Sequence, residues 1–217
     1  MLKLSMIALL IYFFMGGFVF AQNFPEDPHT SYFPDHVQRL IKTRFCPKCN
    51  LMAADLSGLK LNNCVMSKAI LSRTNLSWSH LKRCKLQHAI LEAANLSWAD
   101  LQSTEMEGAF LKKADLQFSN LYLANLSGAF MAFSDLQQVK ANETNFKTAN
   151  LSHANLSGGS FKNSNFQKAN LKNSNLKDAV FLGADFEEAF LQGADFSGAL
   201  WVNGKYCQSG SIGKCIQ

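Results

Sequence analysis

An all-β solenoid, coiled with four short sides to each turn, is the fold that this sequence predicts. Three observations predict it. Every fifth residue from Leu51 to Trp201 is large and apolar, the 31 positions holding 20 Leu, six Phe, three Met, one Trp and the single exception Ala141. Two places earlier in each unit stands a small residue (Ala, Ser, Thr, Cys or Gly), with only Leu59 and Val139 larger. No insertion breaks the register. A helix would repeat its apolar residues at about 3.6 and a flat strand at every second residue. Two inward positions in every five residues fit neither. They fit a chain that turns a corner after each unit, with coils of about twenty residues pairing their backbone groups at roughly 4.8 Å. Nearly eight coils make a rod on the order of 37 Å long. Val139 shares its unit with Ala141, so volume lost at one inward position returns at the other.

The elements follow in chain order. Lys3 precedes an almost wholly apolar run from Leu4 to Phe20, and Val19-Phe20-Ala21 ends that run as a cleavage site does. This predicts a signal peptide over residues 1–21, cut between Ala21 and Gln22, and a mature chain that is periplasmic or secreted and free of the membrane. The rival is an uncleaved anchor, disfavoured because no basic stop-transfer cluster follows. No Cys stands at the cut to carry a lipid. Residues 22–48 form an N-terminal segment. Within it, Pro34 suits the first position of a helix. Val37, Leu40, Ile41 and Phe45 follow at helical spacing, predicting a short amphipathic capping helix over residues 34–44 laid across the first coil. The repeat occupies 49–201. The tail, 202–217, is punctuated by Gly204, Gly210 and Gly213 and is expected to fold back as a C-terminal cap. Both ends of a solenoid need such covers against end-to-end assembly.

Units such as Ala94-Asn95-Leu96-Ser97-Trp98 and Ala114-Asp115-Leu116-Gln117-Phe118 resemble the pentapeptide-repeat family, and the resemblance covers residues 49–201. It implies a right-handed quadrilateral β-helix of about eight coils. The Asn or Asp before each central residue fits, because its side chain can bond neighbouring backbone at turns. Positions twenty apart then stack on one face. Phe146, Phe166 and Phe186 are expected to form one interior ladder, and Phe161, Phe181 and Trp201 a second.

The family offers one well-defined activity, DNA mimicry that protects type II topoisomerases. Mimicry needs a strongly acidic rod. This repeat holds 14 basic and 13 acidic residues, for a net charge of +1, and the whole chain carries +5. Lys60, Lys68, Arg73, Lys82, Arg83 and Lys85 crowd the first coils, while Asp185, Glu187, Glu188 and Asp195 lie near the end. Mimicry is therefore the alternative reading, and nucleic acid is not an expected partner.

Six cysteines remain: Cys46, Cys49, Cys64, Cys84, Cys207 and Cys215. In an exported chain an even count suggests disulfides, with pairing left open by sequence. Cys46 and Cys49 lead into the first unit and are half of a zinc site by spacing, but lack a second close pair. A structural bond is the preferred reading, with metal or thiol-redox chemistry through Cys46 and Cys49 as the alternative. Cys207 and Cys215 flank a turn and read as a tail staple. Cys64 and Cys84 stand one coil apart, within disulfide range but towards its short end. Trp201-Val-Asn-Gly through Cys207 to Cys215, with the leading Cys46 and Cys49, is similar to the ends of exported bacterial members of the family.

No catalytic set assembles from the sequence. His29, His36, His80, His88 and His153 are scattered, and no Ser-His-acid group, paired carboxylates or phosphate loop can be built. The chain reads as a non-enzyme without metal or cofactor. The most suggestive features lie outside. The position before the centre runs Ile70, Ile90, Phe110, Phe130 on one side, and the position two after the centre on the next side runs Trp78, Trp98, Phe118. Exposed apolar patches mark contacts. The first stripe reads as ladder packing or a homodimer contact. The second reads as the surface for an unidentified protein partner, with carbohydrate as the alternative ligand. The function expected is an exported interaction scaffold.

Overall fold

A computed structural model describes residues 33–217. The signal peptide and its cut between Ala21 and Gln22 lie outside the described residues. From Phe45 onward the chain is a solenoid whose coils pair in parallel, Asn50 with Ile70, Ile70 with Ile90, and so on at twenty-residue steps to Val180 with Leu200. The Leu51 N–H donates to the Ile70 carbonyl at 2.8 Å, and the Ile70 N–H returns to the Cys49 carbonyl at 2.8 Å. Four sides result. Side one is centred on Leu51, Leu71 and each twentieth residue to Leu191. Side two runs from Leu56 to Phe196, side three from Leu61 to Trp201, and side four from Cys46 to Phe186.

The corners explain the five-residue unit. The Ala54 N–H closes a turn onto the Leu51 carbonyl at 3.1 Å, and the residue two after the centre is left-handed, with φ 57° at Ala53 and 59° at Trp78. The Asn or Asp before the centre braces that turn: Asn75 Oδ1 accepts the Ser77 N–H at 3.2 Å, and Asp115 Oδ1 accepts the Gln117 N–H at 3.0 Å. Small inward residues let the wall approach. Where they carry a hydroxyl it is bonded, as in Thr74 Oγ1 donating to the Leu51 carbonyl at 2.8 Å.

The axis is filled by the central residues, almost all fully buried. In the later coils Phe166 stacks between Phe146 at 4.8 Å and Phe186 at 4.9 Å, the first interior ladder expected. The second ladder ends early. Phe161 stacks on Phe181 at 5.3 Å, but Trp201 meets Phe181 edge-on at 5.9 Å and stacks instead on Phe186 at 4.9 Å. No further coil holds the indole in register, so it turns across the corner and covers the open face of Phe186.

Helix α1 spans Pro34–Thr43, with proline in its first turn and Arg44 as a left-handed cap whose N–H bonds the Leu40 carbonyl at 2.9 Å. Leu40 is fully buried against the core. Asp35 in the first turn and Lys42 in the last suit the helix dipole. Helical spacing misplaced Phe45, which bridges Val65 at an outward wall position and is 49% exposed. Cys46 beside it is buried as a central residue, so the β-helix begins one unit before residue 49. At the other end the tail pairs antiparallel with the last coil, Tyr206 with Leu200 and Ile212 with Asp195. Among the described residues no helix is long and apolar enough to cross a membrane.

Candidate functional site

The outer stripes form as stacked columns. Trp78 and Trp98 lie with ring centroids 4.8 Å apart and planes parallel, and Phe118 continues the stack at 4.4 Å. Their exposure falls along the column, 59% at Trp78, 46% at Trp98 and 39% at Phe118. All three stand on left-handed backbone, φ 58° to 60°. A bulky side chain there costs about 1 kcal/mol or more. Most corners of this fold are left-handed, so the strain belongs to the architecture, but Gly58, Gly158 and Gly198 in the same column show what relieves it. Beyond Trp78 the column continues to Gly58, where a Cβ would meet nothing within 4 Å. The outer face of Trp78 is therefore open, while both faces of Trp98 are occupied by rings.

On side one Ile70 and Ile90 pair, Ile90 pairs with Phe110, and Phe110 stacks on Phe130 at 4.9 Å. Ile70 is half-buried, and Ile90, Phe110 and Phe130 are exposed. Sequence reasoning missed a third stack, Phe133 on His153 at 4.7 Å. These two residues are also twenty apart at equivalent positions. The signal was present, but like was sought on like. Tyr122 and Leu123 add exposed apolar surface on side three.

His36 Nδ1 is held by the Asn50 N–H at 3.1 Å, and the His88 ring fills the space beside Gly108. A polar recess of about 350 Å³ is lined by Asn62, Asn63, Lys82, Arg83, Gln102 and Ser103, and Lys82 is paired with Asp100 at 3.2 Å. Among the described residues no cluster of His, Cys, Asp and Glu could hold a metal ion. Two carboxylates in one column shift in opposite directions. Burial raises Asp135, the Gln137 N–H opposes it, and the Asp115 carboxylate one coil away raises it further, leaving it above the usual range. Burial also raises Asp195, but the Ser197 hydroxyl and N–H and the Lys177 ammonium at 3.1 Å outweigh it and hold Asp195 low.

Three disulfides pair all six cysteines: Cys46 with Cys49, Cys64 with Cys84 and Cys207 with Cys215. The Cys64 and Cys84 Cα atoms are 4.6 Å apart, the spacing of stacked coils. Cys46 is fully buried and Cys49 is 2% exposed, which leaves thiol exchange little access.

A pentapeptide-repeat profile, in eight copies, matches residues 49–87, 79–117, 94–132, 131–167 and 164–200. No curated protein matches the chain. Among solved structures, HetL of the cyanobacterium Nostoc sp. strain PCC 7120, a pentapeptide-repeat protein involved in heterocyst differentiation regulation, is 24% identical over 81% of this chain and 99% of its own, with a TM-score of 0.31. Rfr23 of the cyanobacterium Cyanothece 51142 is 25% identical over 77% and 97%, with a TM-score of 0.38. A pentapeptide-repeat protein of the Arabidopsis thaliana thylakoid lumen is 26% identical over 66% and 68%, with a TM-score of 0.24. The matched units span the wall from its second pentad to its last coil, and with them the chain belongs to the pentapeptide-repeat family, whose fold is a right-handed β-helix.

Proposed function

We propose that this chain is an exported, non-catalytic scaffold that binds a protein partner through the column of Trp78, Trp98 and Phe118. The observation that carries the proposal is a regular aromatic stack on the outside of a wall whose core is already complete. Solvent-exposed Trp on left-handed backbone adds little to folding, while Trp and Tyr dominate binding hot spots. Three disulfides support an oxidising compartment, and with it a signal peptide over residues 1–21. The domain plan is then an N-terminal segment and capping helix to residue 48, nearly eight coils to 201, and a C-terminal cap from 202. The burial of Cys46 and Cys49 favours a structural bond over redox work.

Carbohydrate is the second reading, favoured by one observation. Sugar rings stack on aromatic faces, and the open face of Trp78 above Gly58 offers one. DNA mimicry gains no support from a repeat of net charge +1. Affinity capture from the native cell envelope, with the Trp78→Ser, Trp98→Ser double variant as control, tests the proposal. A partner held by the parent and lost by the folded variant is the expected result. Identical partner lists, or binding to a glycan array with no protein captured, would replace it.

A further inference from the structure

Among the described residues, the backbone groups at each end of the rod are paired over only half of its cross-section. At the start, sides four and one meet α1: the Phe45 N–H donates to Thr43 Oγ1 at 3.1 Å, and the Asn50 N–H to His36 Nδ1 at 3.1 Å. On sides two and three the N–H groups and carbonyls of Asp55 and Lys60 have no partner among the described residues. At the finish the pattern reverses. The tail covers sides two and three, where the Phe196 N–H donates to the Ser211 carbonyl at 2.8 Å and the Trp201 N–H to the Lys205 carbonyl at 2.8 Å. On sides four and one the N–H groups of Phe186, Glu188, Leu191 and Gly193 have no hydrogen-bond partner among the described residues, with only the Trp201 ring on Phe186 and Gly213 of the tail beside Gly193 reaching over them.

The two covers thus sit on opposite halves. When two rods meet end to end with their sides aligned, the helix half of one faces the open half of the other, and the tail half fills the remaining recess. Rotated by half a turn, helix would meet tail and the open edges would stay apart. Charge favours the aligned arrangement. The helix half carries Arg39, Lys42, Arg44 and Lys48 against a single acid, Asp35. The open half at the finish exposes Asp185, Glu187 and Glu188, with Phe190 54% exposed beside them. Basic first coils and an acidic last coil also make like ends repel and unlike ends attract.

We propose that copies of this chain associate head to tail, the basic helix end of one seated on the open acidic edge around Phe186 to Gly193 of the next. The contact uses two different surfaces, so it propagates rather than closing at two copies. Sedimentation velocity on the purified chain tests it. The sedimentation coefficient is expected to grow with concentration past the dimer at about 50 mM salt and to return to the monomer at about 500 mM. Arg39→Glu with Lys42→Glu, and separately Glu187→Lys with Glu188→Lys, should each weaken association at least ~tenfold. Mixing the two variants should restore growth, because intact ends pair with intact ends and reversed ends with reversed ends. All four substitutions in one chain should restore growth. Circular dichroism establishes that each variant is folded, and the acidic-edge variant tests the contact independently of the helix. A monomer at every concentration overturns the proposal, as does a dimer indifferent to both charge reversals.

Discussion

The first and second halves of the rod use the same stack for opposite purposes. From Trp78 to Phe133 aromatic rings pile up outside an axis of Leu and Met. From Phe146 onward they pile up on the axis, beneath an outer column of Asn and Asp. The geometry is the same: Trp98 to Phe118 is 4.4 Å at 12°, and Phe146 to Phe166 is 4.8 Å at 8°. Both spacings follow from the coil repeat. The surroundings differ. The inner rings from Phe146 to Phe181 are fully buried and also meet rings edge-on across the corner, as Phe146 meets Phe161 at 6.0 Å. The outer rings touch one another and water. Stacking alone therefore does not tell what an aromatic column is for. Burial does: it assigns the inner column to folding and leaves the outer one free for the contact proposed above.

Substitutions that break this comparison should rank by burial. Phe166→Ala removes a ring packed between Phe146 and Phe186 and should destabilise by about 3–5 kcal/mol in urea titration. Cys84→Ser should cost about 3 kcal/mol, since the lost cross-link to Cys64 closes a loop between coils. The serine hydroxyl itself is accommodated there, as Thr74 at the equivalent position bonds the Leu51 carbonyl. Reductant should bring the parent towards the variant and leave the Cys46–Cys49 and Cys207–Cys215 bonds as the variant's remaining response.

The smallest effect sharpens the outer wall. Asp135 keeps its proton to higher pH when folded than when unfolded. Stability contributed by that proton is present at acid pH and lost as pH rises through the raised value. Asp135→Asn, the residue type at Asn75, Asn95 and Asn155 in the same column, should therefore raise the urea midpoint at neutral pH. The gain should stay below ~1 kcal/mol because the site is partly exposed. It should shrink as the pH is lowered towards the ordinary carboxylate range. A lower midpoint at neutral pH would mean that Asp135 has a partner that the Asp115 repulsion does not outweigh.

Much of this was legible because one residue spacing does nearly all the structural work. The centres from Leu51 onward, the small inward positions and the stacked columns of Trp78 and Phe110 all follow from counting by five and by twenty. What was missed lies where the count competes with something else. Cys46 is a buried centre but not a large apolar residue, and the helical pattern before it claimed Phe45. Trp201 left its column because a ladder's last member has no following coil to direct it. Phe133 and His153 stack although they are unlike in type. The half-covers at the two ends depend on backbone partners, which no residue pattern displays.

The most direct test of the division between inner and outer columns is the unfolding free energy of the Trp78→Ser, Trp98→Ser double variant, measured beside Phe166→Ala under the same conditions. The account predicts a loss below about 1.5 kcal/mol, the worth of an exposed aromatic pair, and well short of that for Phe166→Ala. A loss equal to that of Phe166→Ala would contradict it, and would make the outer column a structural spine of the rod.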